Sequence, residues 1–195
     1  ITGSASQTAG ASQNITVTAK DSNGNTVTTY TGDHALTFSG ASDAPDGTHP
    51  KTKDKNNSDV NFNSPATITF TNGVATTDMT LYKVEAAEIE TTDGTYNTNG
   101  SQNYDLDVNV TQAAVDQNKT SISVSPSPAD TNRPVTITVT ATDDYGNPRS
   151  SGGDTIVVTV AGANSDTPTV TDNVDGTYTV TYTPTNTGED LITAT

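Results

Sequence analysis

The sequence contains no cysteine, so neither a disulfide nor a thiolate metal site can stabilise its fold. Extracellular proteins without cysteine are common among prokaryotes and unusual among small animal secreted domains. Tryptophan is also absent and aromatic residues make up only 5% of the chain, which argues against the aromatic platforms that bind carbohydrates. The only histidines are His34 and His49, and no G-x-S-x-G or HExxH motif is present. We therefore expect a protein that is not an enzyme.

Positive charge and long apolar runs are also scarce. Eight Lys and Arg residues stand against 23 Asp and Glu residues, giving a formal net charge of −15, and such a surface would repel a nucleic-acid backbone. No apolar run approaches 18 residues, so this sequence predicts no membrane span. A charged-then-apolar leader is absent too. We expect the sequence to be an excised piece of a longer exported protein whose export signals lie elsewhere.

The apolar residues that remain fall at every second position in short runs. Ile15, Val17 and Ala19 form one such run, and Tyr178, Val180 and Tyr182 form another. This period of two is typical of strands buried on one face. Threonine makes up about a fifth of the chain and suits the solvent face of such strands, because it is β-branched yet polar. The pattern predicts an all-β protein.

The chain nearly repeats itself. Residues 15–25 read ITVTAKDSNGN and residues 137–147 read ITVTATDDYGN, with eight of eleven positions identical at a spacing of 122 residues. A weaker match aligns residues 73–89 with residues 176–192 at a spacing of 103 residues. Two tandem copies of one unit are typical of spacer or display modules. We predict two domains, residues 1–112 and 113–195.

The change of spacing indicates that the first copy carries 19 extra residues. The segment at about 41–65 is the candidate, because it has almost no apolar residues, three prolines and a basic cluster of Lys51, Lys53 and Lys55. Such a composition predicts a long polar surface loop. A loop of this kind should be dispensable for folding.

In the second copy, turn residues separate six predicted strands. The predicted strands span residues 120–125, 134–142, 154–161, 167–172, 177–183 and 190–195. Asp175-Gly176 lies between two alternating runs and is a strong hairpin signal, because glycine reaches positive φ without a Cβ clash. Asp143 precedes Tyr-Gly-Asn and is expected to bond local backbone in a turn. Six short strands with such turns predict a β-sandwich.

Residues 173–188, NVDGTYTVTYTPTNTG, carry a recognisable signature. They resemble the DGTY-x-V-x-Y-x-P pattern of filamin-type immunoglobulin-like repeats. Together with TVTATDDYGNP at residues 138–148, they are similar to bacterial immunoglobulin-like repeats of the invasin and intimin type. The resemblance implies two tandem immunoglobulin-like β-sandwiches used in series, and it implies no catalytic residue.

The first copy contains a strand-like segment that the second copy lacks. Residues 103–110, NYDLDVNV, follow the run around Ile89 and would correspond to positions beyond Thr195. We therefore expect the second domain to lack its last strand. Either the sequence stops before that strand, or another chain supplies it, because an open sheet edge is a template for pairing.

The junction between the copies offers a candidate calcium site. Asp105 and Asp107 alternate along one predicted strand, and Asp116 opens the next domain. Carboxylates on both sides of a hinge supply the hard oxygen ligands that Ca²⁺ prefers. The alternative is that all three are ordinary solvent-facing residues of an acidic chain.

These features predict a non-catalytic spacer segment of a large prokaryotic cell-surface or secreted protein, such as an adhesin stalk. Its partners would be neighbouring domains of that protein, and a host or cell-surface ligand if the segment is itself adhesive. Three alternatives remain: an adhesin domain that contacts such a ligand, a filament subunit assembled by strand donation, and an accessory module of a secreted polysaccharide-active enzyme.

Overall fold

The chain folds as two compact units. The computed structural model describes residues 1–98 and 104–195, and it divides into unit 1, Ile1–Ala113, and unit 2, Ala114–Thr195. Within the described ranges the regular structure is β-strand throughout, as the period-two pattern predicts. In the same ranges, no helix long and apolar enough to span a membrane is found.

The described residues form fifteen strands, numbered in chain order. Nine belong to unit 1: β1 (Ser6–Thr8), β2 (Ser12–Thr18), β3 (Gly32–Ser39), β4 (Lys51–Lys53), β5 (Asp59–Asn61), β6 (Pro65–Phe70), β7 (Val74–Thr80), β8 (Ala86–Thr92) and β9 (Leu106–Thr111). Six belong to unit 2: β10 (Ser121–Ser125), β11 (Val135–Thr140), β12 (Val158–Gly162), β13 (Thr171–Asp172), β14 (Thr177–Tyr182) and β15 (Asp190–Ala194).

Unit 1 is built from two sheets. One has the strand order β1-β9-β8-β3-β6 and the other has the order β2-β7-β4-β5. β1 runs parallel to β9, whereas β8 runs antiparallel to both β9 and β3. Alternate residues are buried, such as Leu36 and Phe38 on β3 and Val108 and Val110 on β9. The apolar faces of the two sheets therefore form the core of a β-sandwich.

Unit 2 has one sheet of four strands, β10-β11-β14-β13, and one of two strands, β12-β15. Its core consists of Val135, Ile137, Val139, Ala141, Val158, Val160, Tyr178, Val180 and Tyr182. All six predicted strands form, each shorter than predicted, and β12 and β13 begin four residues later than predicted. β12 begins only at Val158, because the backbone N–H of Asp154 bonds the Tyr178 hydroxyl rather than a neighbouring strand. β13 contains only two residues, and Pro168 just before it has no N–H for a ladder.

The prediction of a surface loop at residues 41–65 is wrong. The segment contributes β4 and β5 to a sheet, and Thr52 lies opposite Met79 of β7. Thr52 is buried with its hydroxyl 3.3 Å from that of Thr77, and the buried Phe62 ring lies 5.9 Å from the Phe38 ring. This polar insertion therefore belongs to the core of unit 1, and its removal would expose apolar surface.

Of the strand-like segment 103–110 of the first copy, residues 106–110 belong to β9, whereas Tyr104 and Asp105 precede the strand and Asn103 lies outside the described residues. The prediction that Asp105 lies on the same strand as Asp107 is therefore wrong. β9 pairs with β8 in a register that places Ile89 opposite Leu106. In unit 2, the equivalent of Ile89 is Ile192 on β15, and β15 pairs with β12 along one edge. Among the described residues, no strand pairs with the other edge of β15.

Candidate functional site

Two of the predicted calcium ligands lie in a cross-strand carboxylate cluster of unit 1. Asp107 lies on β9 opposite Glu88 of β8. A hydrogen bond with the Asp105 carboxyl, together with repulsion from Asp105 and Asp107, raises the pKa of Glu88. Sequence reasoning missed Glu88, because only the register between β8 and β9 brings it to these aspartates.

The third predicted ligand, Asp116, belongs to unit 2 and caps a turn. Its Oδ1 accepts hydrogen bonds from the backbone N–H of Asn118 at 2.7 Å and from Asn118 Nδ2 at 3.0 Å. Across residues 1–98 and 104–195, no group of three or more metal-ligating side chains is placed to hold an ion. The calcium site of Asp105, Asp107 and Asp116 stays a prediction, and calorimetric titration of the chain with calcium chloride would check it.

The Glu88 cluster makes a prediction about pH. The pKa of Glu88 is raised in the folded state. Glu88 therefore stabilises the fold in its protonated form, below the unfolded pKa of about 4.3. This stabilisation is lost as pH rises through the folded pKa. Glu88→Gln should therefore raise the melting temperature of unit 1 at pH 7 and leave it unchanged at pH 3. The exposed Glu189→Gln serves as the control in thermal unfolding at both pH values, and an equal shift in both variants would contradict the assignment.

Two other aspartates close equivalent turns in the repeated D-x-x-G-N segments. Asp21 Oδ1 accepts the backbone N–H groups of Asn23 and Asn25, both at 2.9 Å, and bonds from Asn25 lower the pKa of Asp21. Asp143 is fully buried, and its Oδ1 accepts the backbone N–H of Asn147 at 2.9 Å. As the sequence predicts, Asp143 bonds local backbone, so the most similar segment of the two copies is a structural turn.

In unit 2, one buried tyrosine holds the start of the β12 segment. The Tyr178 hydroxyl donates to Asp154 Oδ2 at 3.1 Å and accepts the backbone N–H of Asp154 at 3.0 Å. Arg149 Nε lies 3.2 Å from the same Oδ2. Burial, followed by the hydrogen bond and repulsion from the Asp154 carboxylate, raises the pKa of Tyr178. The Tyr178 hydroxyl therefore stays neutral and holds the segment before β12 in place through its bonds to Asp154.

Tyr178→Phe should lower the stability of unit 2 by about 1–2 kcal/mol at pH 7, because Asp154 loses a hydrogen-bond partner. The raised pKa of Tyr178 gives stability that is present below the unfolded value of about 10 and is lost as pH rises through the folded pKa. The variant should therefore lose less stability between pH 9 and 11 than the parent does. Denaturant unfolding across this range checks both effects, and parallel curves for variant and parent would contradict the role given to Tyr178.

A second polar network ties β12 to β15. Asn164 Oδ1 accepts the backbone N–H groups of Thr185 at 3.0 Å and Asn186 at 2.9 Å, and Asn164 Nδ2 donates to Asp190 Oδ2 at 2.9 Å. The Tyr182 hydroxyl donates to the same Asp190 oxygen at 3.1 Å. Bonds from Asn164 and Tyr182 lower the pKa of Asp190. This network closes the loop between β14 and β15.

The two histidines have separate surroundings. The His34 ring stacks on Tyr30 with 3.8 Å between centroids and meets the Phe70 ring edge-on. His49 Nδ1 lies 2.8 Å from Asp43 Oδ1, and both side chains are more than half exposed. Each histidine therefore has a structural or surface contact of its own.

An open cleft is found in the described part of each unit. The cleft in unit 1 has a volume of about 360 Å³ and is lined by Lys53, Lys55 and Asp78 among other polar residues. Its lysines are paired, Lys53 with Asp59 and Lys55 with Asp33. The cleft in unit 2 has a volume of about 320 Å³ and lies beside β15.

Solved structures similar to the chain include three bacterial proteins. FdeC, an Escherichia coli adhesin, is 18% identical with a TM-score of 0.47, and the match covers 98% of this chain and 56% of that one. Invasin, a bacterial integrin-binding protein, is 16% identical with a TM-score of 0.37, and the match covers 94% of this chain and 32% of that one. InvD of Yersinia pseudotuberculosis is 21% identical with a TM-score of 0.39, and the match covers 96% of this chain and 49% of that one. The chain thus spans between about a third and just over half of their lengths. No curated protein matches it.

The sequence family that matches is described as the Filamin/ABP280 repeat, and the match covers residues 114–195. These residues are the whole of unit 2. The match confirms the filamin-type signature that the sequence predicts at residues 173–188, and the strands around that signature form the expected sandwich. Unit 2 of this chain is therefore similar over its whole length to the Filamin/ABP280 repeat, and its strands form an immunoglobulin-like β-sandwich.

Proposed function

We propose that the chain is a non-catalytic structural and spacing segment of a large prokaryotic cell-surface or secreted protein. The observation that carries this proposal is that two successive units each bury a core of their own, with buried polar side chains such as Thr52 and Asn164 bonded to backbone of the same unit. The immediate partners would be neighbouring domains of the same protein. Such a segment transmits position and force rather than binding a substrate.

The polar networks of unit 2 support this proposal. Asp154 holds Arg149 and Tyr178, and Asp190 holds Asn164 and Tyr182. In each case the tyrosine hydroxyl and the carboxylate are hydrogen-bonded to each other within unit 2, and this bond stabilises a connection between strands. These acidic groups have the chemistry of structural ties between strands.

Charge supports an extracellular location for the segment. A net charge of −15 keeps a protein with many sheet edges from associating with itself. The absence of cysteine fits the exterior of a prokaryotic cell, where a stable fold without disulfides needs no oxidation step.

An adhesin domain is the second candidate, and the insertion favours it. The β4–β5 hairpin is ordered, with its turn held by Asp54 Oδ1, which accepts the backbone N–H groups of Asn56 at 2.9 Å and Ser58 at 2.8 Å. An ordered, exposed hairpin turn on a rigid sandwich is well suited to presenting contact residues.

An adhesion assay separates these candidates. Beads coated with the 195-residue chain should bind cultured cells, extracellular matrix and insoluble polysaccharide no better than uncoated beads. The double variant Lys55→Ala and Asn56→Ala changes only exposed side chains at the hairpin turn and should fold normally. Saturable adhesion to cells or matrix that this variant abolishes would establish the adhesin candidate. Saturable binding to polysaccharide would instead support the accessory module of a polysaccharide-active enzyme.

A further inference from the structure

The first and last described strands of unit 1 lie side by side and run in the same direction. β1 pairs in parallel with β9, with Ser6 opposite Asn109. Just before β1, the carbonyl of Ala5 accepts the backbone N–H of Asn109 at 2.9 Å. Just after β1, the backbone N–H of Ala9 donates to the carbonyl of Thr111 at 2.8 Å. The chain is therefore bonded to β9 along the whole of β1.

The direction of the two strands decides how a pulling force reaches the bonds between them. A force along the chain enters unit 1 ahead of β1 and leaves it after β9. It therefore pulls β1 towards its N-terminal end and β9 towards its C-terminal end. Because the strands are parallel and their bonds are evenly spaced, the two pulls oppose each other along one axis and load these bonds together. The force shears the ladder.

A buried glutamine on β1 fastens this strand to the second sheet as well. Gln7 is 6% exposed, and its Nε2 donates to the carbonyl of Ala11 and, at 3.4 Å, to that of Met79 on β7. Its Oε1 accepts a hydrogen bond from Nε2 of Gln13 on β2 at 2.9 Å. β2 and β7 belong to the sheet that contains neither β1 nor β9. Sliding β1 along β9 would therefore also break the bonds of a buried polar side chain, which is costly.

We propose that a mechanical latch, formed by the ladder between residues 5–9 and 109–111 and by the Gln7 side chain, sets the resistance of unit 1 to stretching. While the latch holds, the load passes directly between β1 and β9, so the strands between them in sequence are shielded from it. This inference rests on the proposed spacer function and deepens it, because it identifies the contacts that bear the force such a segment transmits.

Two pulling directions test the latch. The sequence contains no cysteine, so one introduced cysteine gives the 195-residue chain a single attachment site. Force is applied between the N-terminus and a cysteine placed either after β9, in Ala113→Cys, or near its start, in Asp107→Cys, where the side chain is exposed. The first direction shears the latch, whereas the second pulls both strands from the same end and opens their bonds one at a time. Neither direction loads unit 2.

At the same constant force, unit 1 should unfold about tenfold faster or more in Asp107→Cys than in Ala113→Cys, because bonds that break singly present a lower barrier to forced unfolding. Melting temperatures of the two variants should agree. An extension of about 40 nm, at about 0.36 nm per residue, identifies the event in both variants. Equal unfolding rates in the two directions would overturn the proposal.

A second comparison, in the Ala113→Cys chain, separates the latch from overall stability. Gln7→Leu should speed forced unfolding by about tenfold, because the buried partners of Gln7 lose their bonds. Thr52→Val is the matched control, since Thr52 is 2% exposed and its hydroxyl lies 3.3 Å from that of Thr77, in the sheet without β1 and β9. It should lower the melting temperature of unit 1 but leave the rate under force close to that of the parent. An equal acceleration by both substitutions would contradict the latch.

The latch and the spacer function fail in different ways. Equal rates in the two directions contradict the latch, and they leave the two separate ruptures of a spacer unaffected. A single rupture of the whole chain would contradict the spacer function instead. The comparison of directions decides on the latch in that case too, because only unit 1 is loaded, and it also decides if Gln7→Leu fails to fold.

Discussion

Replacing Asn164 with alanine is expected to destabilise unit 2 by about 2–4 kcal/mol. The side chain is 8% exposed, and its Oδ1 accepts the backbone N–H groups of Thr185 at 3.0 Å and Asn186 at 2.9 Å. Alanine leaves both donors without this acceptor and also removes the bond to Asp190. For a unit of this size, the melting temperature should fall by roughly 10 °C or more.

Asn186→Ala is the matched control for this prediction. The Asn186 side chain is exposed and makes one bond, from Nδ2 to the carbonyl of Ala163 at 3.1 Å. Its loss should cost less than about 1 kcal/mol. Denaturant unfolding followed through NMR signals of unit 2 measures both variants, and equal costs would show that Asn164 does not hold the β14–β15 loop.

The second large effect is expected at the hairpin turn between β13 and β14. Gly176 has a φ of 84°, and a Cβ at this position would lie 2.2 Å from the carbonyl oxygen of Arg149. Gly176→Val therefore combines backbone strain with a clash against main chain, and it should destabilise unit 2 by about 3–4 kcal/mol. The turn cannot relax without moving the strand connection at Arg149.

Gly153→Val separates these two contributions. Gly153 also has a positive φ, of 106°, but a Cβ there meets nothing within 4 Å. Gly153→Val should therefore lower the stability of unit 2 by about 1–2 kcal/mol, the cost of backbone strain alone. Thermal unfolding of the two variants side by side gives the difference, and a Gly176 variant no less stable than the Gly153 variant would rule out the close approach to Arg149.

Local sequence signals predict much of unit 2, because its strands are defined by patterns that neighbouring residues carry. Tyr178, Val180 and Tyr182 alternate on one strand, and Asp175-Gly176 marks the turn before it. All three side chains are buried as their period predicts. The filamin-type signature lies in this same stretch.

The insertion shows where such signals fail. β4 has no apolar residue, and its central Thr52 is buried because its hydroxyl finds Thr77, which lies 25 positions away in sequence. A partner so distant gives no local periodicity. Phe62 is the clearest signal for burial in this segment, since a lone aromatic residue among polar ones commonly packs on a core.

The sequence does not predict the polar contacts of Glu88 and Asn164 for a related reason, because their partners are distant in sequence. Glu88 meets Asp105 and Asp107 only through the register of two strands, and Asn164 meets Asp190 across 26 positions. Acidic residues are common throughout the chain, so sequence alone could not show which ones would lie together.

Mechanical unfolding of single molecules tests the central claim most directly. The 195-residue chain is held by its two ends and stretched, and a spacer of two independent sandwiches should give two separate rupture events. At about 0.36 nm per residue, the contour length should grow by about 40 nm for unit 1 and about 30 nm for unit 2. A single rupture that releases the whole length, or extension without any rupture, would contradict a segment built from two independent structural units.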